Sequence, residues 1–155
     1  MITKDRGHKD LVNVLKHHPS DIDFAKIVST VFKHIIELSE DDRLPDKLVE
    51  SDITEGIYQV VKQSPDIDIE TKLLFLQILK FIIKSTGVLY TISVDKGKEI
   101  MTLILESDRH SNLKLDQNTL ELLEEISLHK NQVYPNDIKS VLKICRRNHE
   151  NHGVI

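Results

Sequence analysis

The stretch DFAKIVSTVFKHIIELS, residues 23–39, carries the pattern that decides the fold. Its apolar side chains recur every three or four residues, the spacing that places them on one buried face of a helix. They are Phe24, Ile27, Val28, Val31, Phe32, Ile35, Ile36 and Leu38. The turn at residues 19–21 offers N-cap side chains, and the acidic, proline-containing residues 40–46 end the pattern. We therefore predict one long helix that buries this whole face.

The same arrangement recurs 46 residues further along the chain, without a gap. Each copy has a short apolar segment, a turn with a proline and a long amphipathic segment. The matched pairs include Leu11 with Ile57, Val14 with Val60, Leu15 with Val61, Pro19 with Pro65, Ile27 with Leu73, Phe32 with Ile78 and Ile35 with Phe81. Two amphipathic helices share some matches by chance, but the shared turn proline favours an internal repeat.

A third, less regular copy follows, and a last helix ends the chain. Ile100 opens its first segment, 43 residues after the matching position of the second copy, and residues 120–128 form its second, with Asp116 as the expected N-cap. Short additional elements are expected at residues 45–51 and 88–94. We therefore predict a single domain over residues 1–155, with repeats at about 9–40, 45–86 and 88–129 and a capping helix at 136–147.

A period of 43 to 46 residues, with a short, a medium and a long helix in each unit, is typical of armadillo and HEAT repeats. Residues 48–66, LVESDITEGIYQVVKQSPD, followed by the helix that begins at Asp68, closely resemble an armadillo repeat in layout. The resemblance covers about residues 9–145. It implies an all-α fold, a right-handed α-solenoid (armadillo-like superhelix) with a C-terminal capping helix. It also implies a protein-binding scaffold, adaptor or regulatory subunit.

The chain departs from those armadillo repeats that grip extended peptides. Such repeats use an asparagine on the third helix, often near a tryptophan. This chain has no tryptophan, and its third-helix segments FKHII and ILKFII contain no asparagine. We therefore do not expect it to bind nuclear import signals in that way. Trafficking domains of the VHS or ENTH kind, helical superhelices of similar length, are the alternative family, and they would bind lipid or ubiquitin.

The long helices of a helical-repeat protein usually line one continuous surface. We expect the partner to bind there, and the candidate residues are Lys33, Glu37, Gln77, Lys80, Lys84, Glu121 and Glu124. In the middle long helix, Leu76, Leu79 and Ile83 point away from the shared apolar face. Packing against neighbouring repeats is the favoured interpretation of these three residues. The alternative is an exposed apolar groove that docks a partner helix.

Composition and charge narrow the class of partner. The 155 residues carry 25 acidic and 21 basic side chains and a net charge of −4, which gives no field that would attract nucleic acid. The most apolar stretch, residues 73–83, is too short to span a membrane. A single cysteine excludes an intramolecular disulfide. These features favour a cytoplasmic or nuclear protein with a protein partner, and so short a solenoid is compatible with a homo-oligomer or a larger assembly.

No motif indicates catalysis or a cofactor. The eight histidines are scattered, without the His-Glu-x-x-His pattern of zinc enzymes, and no glycine-rich phosphate loop occurs. Cys145 and the basic stripe within residues 139–147 are interpreted as ordinary features of the last helix. We predict no enzyme activity, no cofactor and no metal. The alternative, a metal-dependent enzyme, requires a pocket in which several of His34, His110 and His129 converge with nearby carboxylates.

Overall fold

The computed structural model describes the backbone at residues 4–85, 91–107 and 112–130, and the side-chain surroundings at residues 7–85, 95–107 and 112–126. Within these ranges the chain forms seven helices and no strand, which confirms the predicted all-α class. The helices are α1 (Lys4–His17), α2 (Ile22–Leu38), α3 (Leu44–Glu50), α4 (Ile53–Gln63), α5 (Ile69–Ser85), α6 (Thr91–Ser107) and α7 (Leu113–Lys130). The predicted capping helix at residues 136–147 lies outside the described residues, as does Cys145.

Acidic residues begin two of the long helices, as the sequence predicts. The Phe24 amide donates a hydrogen bond to Asp21 Oδ1 at 3.0 Å, so Asp21 caps α2. Asp68 directly precedes α5, and its carboxylate accepts a hydrogen bond from the Thr71 hydroxyl. Because the first amides of a helix have no partner within the helix, such side chains fix where it starts.

The region of α6 differs from the prediction of two separate elements. α6 runs without interruption from Thr91 to Ser107, so residues 91–94 are its first turn rather than part of a separate short element. The β-branched residues in this turn have only a weak intrinsic preference for extended structure. Such a preference is too weak to prevent a helix here.

The start of α7 also differs from the prediction. Asn112 Oδ1 accepts a hydrogen bond from the Leu115 amide at 3.0 Å, and α7 begins at Leu113. Asp116 lies inside the first turn, where it is buried. The prediction that Asp116 caps this helix is therefore wrong. Both residues are good capping types, and the sequence pattern alone does not distinguish caps one turn apart.

The helices pack in two rows. In one row α1 contacts α4 and α4 contacts α6, and in the other α2 contacts α5 and α5 contacts α7. α3 packs against α5, α4 and α1. The Ser64 hydroxyl donates a hydrogen bond to the Pro19 carbonyl at 3.1 Å, and both residues are buried. This bond joins the turn before α2 to the turn before α5.

Both faces of α5 are buried. Leu76, Leu79 and Ile83 are each 1% exposed, so they belong to the core together with residues on the opposite side of the helix. α5 lies between α2 and α7, which explains why it is covered on two flanks. The favoured interpretation of these three residues as packing residues is confirmed, and the alternative of an exposed groove formed by them is wrong.

α2 is buried on one face only. Its fully buried side chains are Ala25, Val28, Ser29 and Phe32. Ile27, Val31 and Leu38 are 60%, 38% and 81% exposed, so the prediction that the whole apolar face is buried is wrong at these positions. The described helices that pack most closely on α2 are α5 and α1, and neither covers this side of the helix.

Candidate functional site

Three exposed apolar side chains of α2 and the exposed His34 lie on one face of the helix, while a further exposed apolar residue, Ile22, lies in the first turn and points elsewhere. Ile27, Val31, His34 and Leu38 are spaced by four, three and four residues, which aligns them along the helix axis, and all four are exposed. We call these four residues the α2 stripe. Scattered apolar residues are normal on protein surfaces, whereas a contiguous apolar patch marks a place where another molecule binds.

A groove runs beside the stripe. Its described lining residues are Thr30, Val31, His34, Ile35, Leu38 and Ser39, all from α2 and its C-cap, and its volume is about 560 Å³. We call it the α2 groove. The lining is largely apolar, with the His34 ring and two hydroxyl groups as the polar members. A shape of this kind, open and parallel to a helix, suits an apolar helix face better than an enclosed small molecule.

At three of its four positions, the α2 stripe differs in polarity from the matching positions of α5, and only Ile27 matches another apolar residue, Leu73. In the 46-residue match, Val31, His34 and Leu38 correspond to Gln77, Lys80 and Lys84 of α5. At the same register, therefore, α5 carries an amide and two cations where α2 carries two apolar side chains and an imidazole. Repeat geometry alone does not account for an apolar surface at these positions of α2.

The structure brings some of the predicted partner-binding residues together in pairs. Lys33 Nζ lies 4.0 Å from Glu37 Oε1 on α2. Lys80 Nζ lies 2.9 Å from Glu121 Oε2, which connects α5 to α7. These cations and carboxylates are therefore already engaged within the chain, although their exposed position makes each pair weak.

The remaining predicted residues, Gln77, Lys84 and Glu124, are exposed on α5 and α7. The residues of the α2 stripe are not among the predicted partner-binding residues, although two of those, Lys33 and Glu37, lie on the same helix. The available signal is the contrast between Leu38 and its matched residue Lys84. An apolar residue at a position where the other copy has lysine indicates a surface position rather than a core position.

The charges around the α2 groove are mainly negative. Residues 21–43 contain six carboxylates and three Lys or Arg residues. Lys26 Nζ lies 3.0 Å from Glu70 and 3.5 Å from Asp68, and hydrogen bonding to Glu70 raises the pKa of Lys26. The other cation of the helix, Lys33, pairs with Glu37. Both lysines of α2 are thus partly neutralised by carboxylates.

A second polar cluster lies between α4 and α6. Lys96 Nζ is 4.0 Å from the centre of the Tyr58 ring, 3.4 Å from Glu55 and 3.5 Å from Glu99. A hydrogen bond from Gln59 and the nearby Lys96 hold the pKa of Glu55 below its usual value. The contacts pair the charges of the cluster within the chain, so the cluster joins α4 to α6.

The described histidines do not form a metal site. His8 is buried beside Phe32, with the ring centres 6.1 Å apart, and His17 Nδ1 lies 2.7 Å from the Asn13 carbonyl oxygen. Among the side chains that the structure describes, no three His, Cys, Asp or Glu residues come close enough to hold a metal ion. The side chains of His110 and His129 lie outside the described residues.

No helix in the described part of the chain is both long and apolar enough to cross a membrane. Comparison of the sequence with protein-family models and with curated proteins, and comparison with solved structures, gives no significant match.

Proposed function

We propose that this protein is a protein–protein interaction module, acting as a scaffold, adaptor or regulatory subunit, and that its α2 groove holds an amphipathic helix of a partner protein. The observation that carries the proposal is the α2 stripe, an exposed row of three apolar side chains and His34 with helical spacing. A row with this spacing matches the apolar face of a second helix, as in helix-in-groove recognition.

The contacts between the helices support an armadillo-like, right-handed α-solenoid as the framework of this module. The two rows, α1 with α4 and α6, and α2 with α5 and α7, are what stacked repeats require. The bond from Ser64 to Pro19 links two turns that the 46-residue match makes equivalent. In such a framework α2 is a long helix of the repeat array, and a partner helix packs on its exposed flank.

The size of the surface favours one helix over a second copy of the chain. α2 has 17 residues and is therefore about 25 Å long. With a contact width of about 10 Å, its face offers roughly 250 Å². A stable complex between two folded proteins usually buries about 800 Å² on each partner. Contact through this face alone is too small for a stable dimer and suits weak, reversible docking of a single helix.

The charged residues of the long helices extend this surface. Lys33 and Glu37 lie next to the groove on α2, and Gln77 and Lys84 lie on the neighbouring helix α5. We propose that a longer partner continues across these residues toward Glu124 on α7. Charges at the edge of an interface mainly affect the association rate and the specificity, so the apolar groove provides most of the affinity.

Affinity capture from native cell extract with three forms of the protein tests the proposal. The forms are the wild type, a groove variant with Ile27→Glu and Leu38→Glu, and a control with Leu113→Glu. All three residues are exposed, so the substitutions leave the core intact, and Leu113 lies on α7. A partner retained by the wild type and the control, but lost from the groove variant, is the expected result.

Capture alone does not establish the mode of binding. The captured partner must contain an amphipathic helix, and a synthetic peptide of that helix must bind the wild type and fail to bind the groove variant. If the partner is retained equally by the groove variant, docking on α2 is wrong. In that case a Lys80→Glu, Lys84→Glu variant shows whether the α5 surface binds instead.

A further inference from the structure

We infer that the α2 groove selects a cationic helix, one whose apolar face is flanked by lysine or arginine residues. This inference rests on the proposed function, since it names the chemistry of the helix that the groove holds. The placement of charges along α2 carries this inference. Exposed carboxylates lie near both ends of the stripe, Lys26 is paired with carboxylates outside the helix, and Lys33 offsets only the carboxylate of Glu37.

The C-terminal end of the groove is the more negative one. Glu37 precedes Leu38, the most exposed residue of the stripe, and Glu40 and Asp42 follow the C-cap; all three carboxylates are exposed. The last turn of α2 contains no basic residue, so the negative end of the helix dipole adds to these charges. Arg43 is the only Lys or Arg between residues 34 and 46 and offsets them in part.

The N-terminal end is acidic as well. Asp23 lies in the first turn of α2, four residues before Ile27, and it is exposed. Lys26, the nearest cation on the helix, lies between Asp68 and Glu70 of the α5 region, with Nζ distances of 3.5 and 3.0 Å. Its charge therefore compensates carboxylates on the side of α5 and does not attract an anionic ligand to the stripe.

The consequence is discrimination by charge at both ends of an apolar contact. An acidic helix would place like charges beside Asp23 and Glu37, which costs affinity and slows association. A basic helix gains long-range attraction, which salt weakens because the charges are exposed. The apolar stripe thus determines that a helix binds, and the carboxylates determine which helix.

Fluorescence anisotropy with two labelled peptides of about 18 residues tests the inference. Both peptides carry leucines at i, i+4, i+7 and i+11, the spacing of the stripe, and differ only in three lysines or three glutamates at each end. We expect the lysine peptide to bind about tenfold more tightly in dilute buffer. In 1 M salt, where the screening length falls to about 3 Å, we expect this advantage to disappear.

Charge reversal on the protein provides the second measurement. Glu37→Lys with Glu40→Lys is expected to reverse the order of the two peptides. The matched control, Glu50→Lys with Glu106→Lys, changes the net charge equally at exposed positions of α3 and α6 and is expected to keep the wild-type order.

The outcomes separate this inference from the proposed function. If both peptides bind the wild type equally, or the glutamate peptide binds more tightly, selection for a cationic helix is refuted while helix docking stands. If the reversal variant and its control lose the preference to the same extent, net charge rather than the groove is responsible, which also refutes the inference. If neither peptide binds the wild type, helix docking on α2 itself is refuted.

Discussion

Truncating a leucine on the α2 stripe and one in the core, Leu38→Ala and Leu79→Ala, tests whether the stripe is a free surface. Full burial of a leucine side chain contributes about 1.5–3 kcal/mol. Leu38 is 81% exposed, so its truncation forfeits about a fifth of this, roughly 0.3–0.6 kcal/mol. Leu79 is 1% exposed, and its truncation also leaves a cavity, so it costs about 2–5 kcal/mol.

Urea and thermal unfolding followed by circular dichroism measure this difference. For a chain of this size 1 kcal/mol corresponds to roughly 2–4 °C in Tm. Leu79→Ala is therefore expected to lower Tm by about 4–20 °C, and Leu38→Ala by no more than about 2 °C. Leu113→Ala is the intermediate control, because Leu113 is 49% exposed and its truncation forfeits about half of full burial, roughly 0.8–1.5 kcal/mol, or about 2–6 °C. If Leu38→Ala destabilises the protein as strongly as Leu79→Ala, Leu38 is covered in solution and the groove is not available to a partner.

Three further predictions concern stability. Burial raises the pKa of Asp68, but the Thr71 hydrogen bond and Lys26 outweigh it and hold this pKa below its value in the unfolded chain. The unfolded chain therefore takes up the proton first, and stability falls as the pH drops through the carboxyl range. Asp68→Asn should reduce that loss in urea midpoints measured from pH 7 to pH 3, and parallel curves for the two proteins would contradict this. Ser64→Ala removes the hydroxyl that donates to the buried Pro19 carbonyl, so it should lower the free energy of unfolding by about 1–3 kcal/mol in urea. Ser20→Ala, at an exposed serine, is the control and should leave the free energy of unfolding almost unchanged. Asp52 adopts the left-handed region with φ 67°, which glycine accepts readily and alanine does not. In urea unfolding, the free energy of unfolding of Asp52→Gly should exceed that of Asp52→Ala by about 1 kcal/mol. Equal midpoints for the two variants would refute strain at this position.

The local signals of the sequence predicted most of the helices. The spacing of apolar residues placed α2 and α5, and Asp21 at the predicted start of α2 is its cap. Prediction was weaker where local preferences are small. Residues 88–94 are predicted as a separate short element although residues 91–94 are the first turn of α6, and Asp116 is as good a capping type as Asn112. In both places the local sequence is compatible with more than one boundary and does not choose between them.

The sequence by itself determined that the chain is all-α and which residues share a face of each helix, because helical periodicity is a local property of the backbone. Only the tertiary structure decided which of those faces is covered. Leu76 and Ile83 lie in the core because α5 has a helix on both flanks, whereas Ile27 and Leu38 are exposed because no described helix covers that side of α2. Periodicity specifies how side chains are arranged around one helix, but burial depends on which helix lies opposite, and that follows from contacts between residues far apart in the chain.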